Sequence, residues 1–265
     1  MSKNKNTIIF DSLTHPTLTG KWISGDFDAS FQGLSESFGA RCGACAVGLP
    51  GVGGYNHEAF YAAALRDPRL VPVAAIESKD KNSLKSEIGL ICKIGYRAIK
   101  LHPRLSELRL SPDDPFLNEV FSLCVERRLV LFFCTYVSAP IQQMPDFDPL
   151  WTLTKLLKRY DNIKCVLLHG GVTRLLQYAD LVRFNPNILL DLSFTIMKFS
   201  GSSVDLDLRY LFRNLDKRIC VGTDHPEISI RQLEIKLKSL TKNLPQEKLE
   251  NIYRNNLKTM LGIET

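Results

Sequence analysis

Eight short apolar runs, rich in β-branched and aromatic residues, recur along the 265-residue chain at 7–13, 44–49, 70–76, 97–102, 129–135, 163–169, 187–192 and 218–223. Between them lie segments whose apolar residues repeat at three- and four-residue spacing: 56–67, 82–95, 115–128, 149–162, 173–184 and 204–217. Pro115 and Pro149 suit first helical turns, and Gly95 suits a C-terminal cap. Two more helical patterns, around 229–240 and 246–261, close the chain. Runs such as LVLFF are apolar without alternation, as expected of parallel strands buried on both faces. Eight such units in one chain of this length predict a single-domain (β/α)₈ TIM barrel over residues 1–265, with an extra C-terminal helix, rather than an open sheet.

Four of the five histidines fall at the predicted C-terminal ends of strands, in DSLTHP (11–16), IKLHP (99–103), LLHGG (167–171) and VGTDHP (221–226). Strand ends of a parallel barrel converge on one mouth, where such enzymes do their chemistry. Side chains two apart share a strand face. On that parity Asp11, Leu13 and His15 form one set; Lys100 and His102 a second; Phe132 and Cys134 a third; Cys165, Leu167 and His169 a fourth; and Cys220, Gly222 and Asp224 a fifth. His15, His102, Cys134, His169 and Asp224 are therefore expected at the mouth. Imidazoles with a carboxylate are a common ligand set for a divalent metal that keeps one position open for water. Such a metal supplies hydroxide near neutral pH. Each residue taken alone is more often structural; Asp224, before His225-Pro226, would also suit the cap of a turn.

The order IKLHP, LLHGG, ILLDLS, VGTDHP and IYRNNLKTML resembles the amidohydrolase superfamily, and is most similar to the branch that includes aminocarboxymuconate semialdehyde decarboxylase and related metal-dependent hydrolases. The resemblance runs from Ile8 to Leu261. It implies a metal held by a His-x-His pair on the first strand, a His on the fifth and an acidic residue on the eighth, with a further catalytic His on the sixth. His15, His169 and Asp224 match. Leu13 stands where the first His of the pair belongs, and Cys134 replaces the His of the fifth strand. The metal set so implied is His15, Cys134, His169 and Asp224, with zinc expected because thiolates bind it; Asp224, His169 and His102 are the catalytic candidates. The superfamily also contains metal-free lactonases.

Lys100, Arg104 and Arg174 lie on or just after strand ends, as does Lys198, and are the candidates for binding a carboxylate or phosphate. The expected function is hydrolysis of a small anionic substrate. The alternatives are a metal-free lactonase-like hydrolase, a decarboxylase of the same branch, and a degenerate barrel that binds a ligand without catalysis. Charges are interspersed within a net +6, so no nucleic-acid partner is expected. No run of about 18 apolar residues exists, so no membrane span is expected either. The N-terminal MSKNKNTIIF lacks a secretory apolar stretch, and the seven scattered cysteines suit reduced thiols, so a cytoplasmic location is expected. Homo-oligomerisation is left open. Cys42-Gly43-Ala44-Cys45 has redox-like spacing but starts a strand, where residues three apart face opposite sides; it reads as core. The glycine-rich 48–54 has no Lys-Ser/Thr after it and reads as a mobile mouth loop rather than a nucleotide site. His57 is expected on a helix surface.

Overall fold

A computed structural model describes residues 8–38 and 42–263; the expected strand start at residue 7 and most of the polar N-terminal stretch lie outside them. Eight parallel strands run in sequence order around a barrel: β1 (Phe10–Thr14), β2 (Gly43–Val47), β3 (Leu70–Ala75), β4 (Ala98–Leu101), β5 (Val130–Cys134), β6 (Cys165–Leu168), β7 (Ile188–Asp191) and β8 (Ile219–Cys220). Regular pairing runs from β1 to β8. The seam between β8 and β1 is closed just beyond β8, where Ser12 N donates to Val221 O (3.0 Å), Asp224 N to Leu13 O (2.9 Å) and His15 N to His225 O (2.9 Å). Those three bonds matter for function, because they anchor both His15 and Asp224 to the barrel wall.

The helices around it are α1 (Phe31–Phe38), α2 (His57–Ala64), α3 (Lys81–Ile94), α4 (Pro115–Arg127), α5 (Pro149–Arg159), α6 (Leu175–Arg183), α7 (Thr195–Lys198), α8 (Val204–Asn214), α9 (Ile230–Leu240), α10 (Gln246–Glu250) and α11 (Asn256–Leu261). Their starts are written in the sequence. α4 and α5 both open with Asp-Pro: Asp114 accepts from Phe116 N and Leu117 N, and Asp148 from Leu150 N and Trp151 N, while each proline fills a first-turn position whose N–H would have no partner. α3 ends at Gly95, whose φ of 113° only glycine adopts readily. α1 has no counterpart among the expected elements. The closing helix is interrupted by a π turn over 251–255.

Apolar side chains divide into two clusters by sheet face. The outer one joins Ile99, Leu131, Phe133, Cys165, Leu167 and Leu190 to the helices; the inner one fills the barrel with Val73, Ala98, Phe132, Val166 and Leu189. Leu257, Met260 and Leu261 of α11 complete the inner cluster beside Phe10 and Val130, plugging the end opposite the mouth. The fourth, fifth and eighth strands keep the expected parity. The sixth does not: Val166 and Leu168 point inward, Cys165 and Leu167 outward. On β1 a register shift between Asp11 and Thr14 turns Phe10 and Leu13, three apart, to the same side.

Candidate active site

A buried polar web ties the mouth to the strands. Asp11 accepts from Thr223 N (3.0 Å), Thr223 Oγ1 (2.7 Å) and Leu13 N (3.1 Å). Burial pushes its carboxyl up to about 7, against the lowering effect of those bonds. Ser12 Oγ donates to Asp191, which also accepts from His169 N (3.1 Å), Ser193 N (3.2 Å) and Ser193 Oγ. Gly222 is required here: a Cβ would stand 2.5 Å from Ser12 Oγ and 2.7 Å from Asp11 Oδ1. Sequence reasoning missed Asp191 altogether. Its signal was the acidic residue ending the ILLD strand, a position that otherwise reads as apolar.

His169 reaches the mouth by a route other than strand alternation. The chain leaves β6 at His169 with φ 64°, followed by left-handed Gly170 and Gly171, and Asp191 and Thr195 hold the turn from below through His169 N and O. Asp224 likewise takes φ 61°, four residues past the end of β8. Positive φ in non-glycine residues costs about 1–3 kcal/mol and clusters where function or surrounding structure demands it.

Two groups of side chains face each other in the mouth. In the first, His15 Nδ1 lies 2.7 Å from Val47 O, and a carbonyl only accepts, so Nδ1 carries a proton. His15 Nε2 lies 3.0 Å from Lys100 Nζ, and an ammonium only donates, so Nε2 carries the lone pair. His15 is therefore neutral; burial and the Lys100 charge push its pKa down to about 4. Asp224 Oδ1 stands 3.4 Å from the same nitrogen. Burial alone would raise the Asp224 carboxyl, but the charges of His169 and Lys100 hold it well below the ordinary carboxylate range. Trp22 stacks on His15 with 6.0 Å between ring centres and 13° between planes.

In the second group, Cys134 Sγ lies 3.7 Å from His102 Nε2, and the His169 imidazole also acts on it. Burial would raise the thiol; the two imidazoles outweigh it and hold Cys134 well below its usual range. The reciprocal effect appears on His169: burial would lower it, but the Cys134 charge first, then Asp224 and Asp191, push it up to about 9. His169 Nδ1 donates to Ser193 O (3.2 Å). Tyr136 and Phe194 wall this side, with ring centres 6.2 and 5.8 Å from His169. Arg104 lies over Tyr136 at 5.3 Å and Lys198 over Phe194 at 5.8 Å, so both cations flank the His169 side. A cavity of about 520 Å³ opens beside Arg104, lined also by Pro103, Leu108, Val137 and Met144.

His15, His102, Cys134, His169, Lys100 and Asp224 thus meet at one mouth. Arg174 does not join them freely, because both arms of its guanidinium are taken by Asp148 at 2.8 and 3.0 Å. Lys100 is no solvated charge but 2% exposed. His225 Nε2 is buried without a hydrogen-bond partner, and burial brings that imidazole down to about 4. His57 opens α2 as expected but is buried rather than on the surface: Tyr55 OH meets Nδ1 at 2.9 Å and Glu87 Oε1 meets Nε2 at 3.0 Å. Glu87 in turn accepts from Glu77 N and Ser78 N, so the group ties the end of β3 to α3. Cys42 and Cys45 are buried free thiols in opposite clusters. Gly53 of the glycine-rich loop packs on Thr17, and its carbonyl accepts from Thr19 N, so that loop is tied to the segment after β1.

The mouth's donors fit a metal ion poorly as they stand. Leu13 is fully buried and offers no lone pair. The lone pair of His15 already faces Lys100, and Cys134 is engaged by His102. Among the described residues, three donors whose ligand atoms lie within 4.8 Å of one another occur instead at His57, Glu77 and Glu87.

A family model described as amidohydrolase matches residues 46–256, and the chain belongs to that family. Family membership makes the protein an enzyme of the amidohydrolase type. No curated protein matches the chain. Solved structures share its fold. An uncharacterised TIM-barrel protein from Bordetella bronchiseptica is 18% identical, covering 96% of this chain and 98% of that one, with a TM-score of 0.78. An amidohydrolase from Burkholderia multivorans, solved with bound zinc, is 15% identical over 97% of this chain and 100% of its own, with a TM-score of 0.69. A 5-carboxyvanillate decarboxylase from Novosphingobium aromaticivorans, solved with manganese and a nitrobenzoic acid, is 9% identical over 99% of each chain, with a TM-score of 0.70. At these identities the likeness concerns the fold alone. No helix among the described residues is long and apolar enough to cross a membrane.

Proposed function

We propose that this protein hydrolyses a small anionic substrate, with Asp224 as the base that activates water and His169 as the proton donor to the departing group. One observation carries the reading: an ionised carboxylate and an imidazole pushed up to about 9 share one mouth. Groups whose surroundings drive their proton affinities apart are the pairs that acid–base catalysis uses. The Asp224 side chain is 22% exposed and meets solvent, while His15 beside it is buried. Arg104 and Lys198, on either side of the aromatic pair over His169, supply the attraction for an anion. All seven cysteines are free, which suits a reducing cytoplasm.

The test is a panel of lactones, esters and amides, each with and without a carboxylate, together with carboxylated aromatics assayed for loss of carbon dioxide. Hydrolysis that favours the carboxylate-bearing members, and that falls with Asp224→Asn, supports the reading. Turnover confined to decarboxylation replaces it with the decarboxylase alternative. Binding without turnover anywhere in the panel replaces it with the non-catalytic barrel.

A further inference from the structure

The superfamily resemblance makes His15 a metal ligand, and Nε2 is the ring nitrogen not already bonded to the backbone. In this protein Lys100 Nζ stands 3.0 Å from it, on the lone-pair side. The position is built rather than accidental. Lys100 lies on β4, paired in register with Ala75 and Phe132, and points inward above Ala98. It is 2% exposed, so its charge cannot be turned out to water. The hydrogen bond from His15 Nδ1 to Val47 O fixes the ring, which leaves Nε2 no other direction in which to face. Burial lowers the proton affinity of Lys100, and the negative charges of Cys134, Asp224 and Asp191 around it oppose that. Buried charges persist when they are paired in this way. Leu13, where the resemblance places the second imidazole, is fully buried and offers no lone pair.

We propose that the Lys100 ammonium takes the place of a metal ion at this mouth, a resident cation that keeps metal from His15 and presents its remaining N–H to a substrate oxygen. A metal ion in such a site polarises a carbonyl and steadies the charge that develops on its oxygen. A desolvated ammonium aimed at the same place supplies the same kind of stabilisation by charge-assisted hydrogen bonding, without a ligand shell. The exclusion of metal holds whether or not the substrate is hydrolysed; only the role toward a substrate oxygen rests on the function proposed above.

The experiment follows the imidazole of His15 by nitrogen NMR in full-length wild type, Lys100→Met and Lys100→Arg, each titrated with zinc alone. Reading His15 itself keeps zinc captured at His57, Glu77 and Glu87 from confusing the result, and needs no substrate, so failure of the hydrolase reading leaves the test standing. Expected are a wild-type His15 resonance indifferent to stoichiometric zinc, and a Lys100→Met protein whose His15 Nε2 responds to zinc at a concentration at least tenfold lower. Lys100→Arg, which keeps the cation, should behave as wild type. Zinc bound to His15 in the wild type would overturn the proposal. So would a folded Lys100→Met protein that takes zinc at His15 no better than wild type, because something other than Lys100 would then be holding metal away.

Discussion

His15 and His169 are alike in almost everything except charge. Each lies just past the end of a strand, each is about 95% buried, and each gives its Nδ1 proton to a backbone carbonyl, Val47 O and Ser193 O respectively. Burial pushes both toward the neutral form. The difference lies in the neighbour. Lys100 faces His15 and brings it down to about 4, whereas the Cys134 thiolate beside His169 brings it up to about 9. Burial sets the scale on which charges act, and the identity of one partner decides the sign. The same mouth therefore holds one neutral imidazole whose lone pair faces Lys100 and another with a proton to give.

The largest effect is expected at Asp224, the carboxylate on which both His15 and His169 act. Asp224→Asn keeps the shape but removes the base, and kcat/KM should fall by about 10²–10⁴-fold; a loss under tenfold would remove Asp224 from the chemistry. The next effect is on pH dependence. In wild type, kcat/KM should be level between limbs near 4 and near 9: below the first His15 takes a proton, and above the second His169 loses one. Cys134→Ser removes the thiolate, so the alkaline limb should move down while the acid limb stays. These limbs belong to coupled groups, and their joint movement is what is measured.

A smaller effect concerns stability. His225 ionises near 4 when folded and near 6.5 when free. Between those values the unfolded chain binds the extra proton, so this group's contribution is intact above about 6.5 and is lost as pH falls toward 4. Urea denaturation of His225→Gln should show a shallower acid decline than wild type, by up to about 1.4 kcal/mol per pH unit across that window. The smallest effect is expected from Trp22→Leu. It removes the ring stacked on His15, worth about 0.5–1.5 kcal/mol, and should leave the alkaline limb in place because the stack is with His15, not His169.

The barrel was legible because its signals are local. Eight apolar runs, the Asp-Pro helix starts and Gly95 each state their structure within a few residues. The positions of His15, His102, Cys134, His169 and Asp224 at one mouth were legible too, since strand ends of a parallel barrel share one side. The means were not. Alternation assigns Cys165, Leu167 and His169 to one inward face, yet the first two point outward and His169 arrives through a left-handed turn that no periodicity describes. The β1 register shift hides in the same way. Burial of Lys100 was equally illegible: a lysine near a strand end reads as solvated until the lone pair of His15 is found opposite it. Asp191 joins Ser12 and His169, 179 and 22 residues away, pairings that its place at the end of ILLD does not announce.

The opposite charge states of the two imidazoles can be read directly by nitrogen NMR of histidine-labelled protein between pH 5 and 8. His15 is expected to stay a neutral ring protonated on Nδ1 throughout, and His169 to stay doubly protonated across the same range. A His169 resonance that titrates near the ordinary 6.5, or a His15 that is cationic at pH 7, would contradict it.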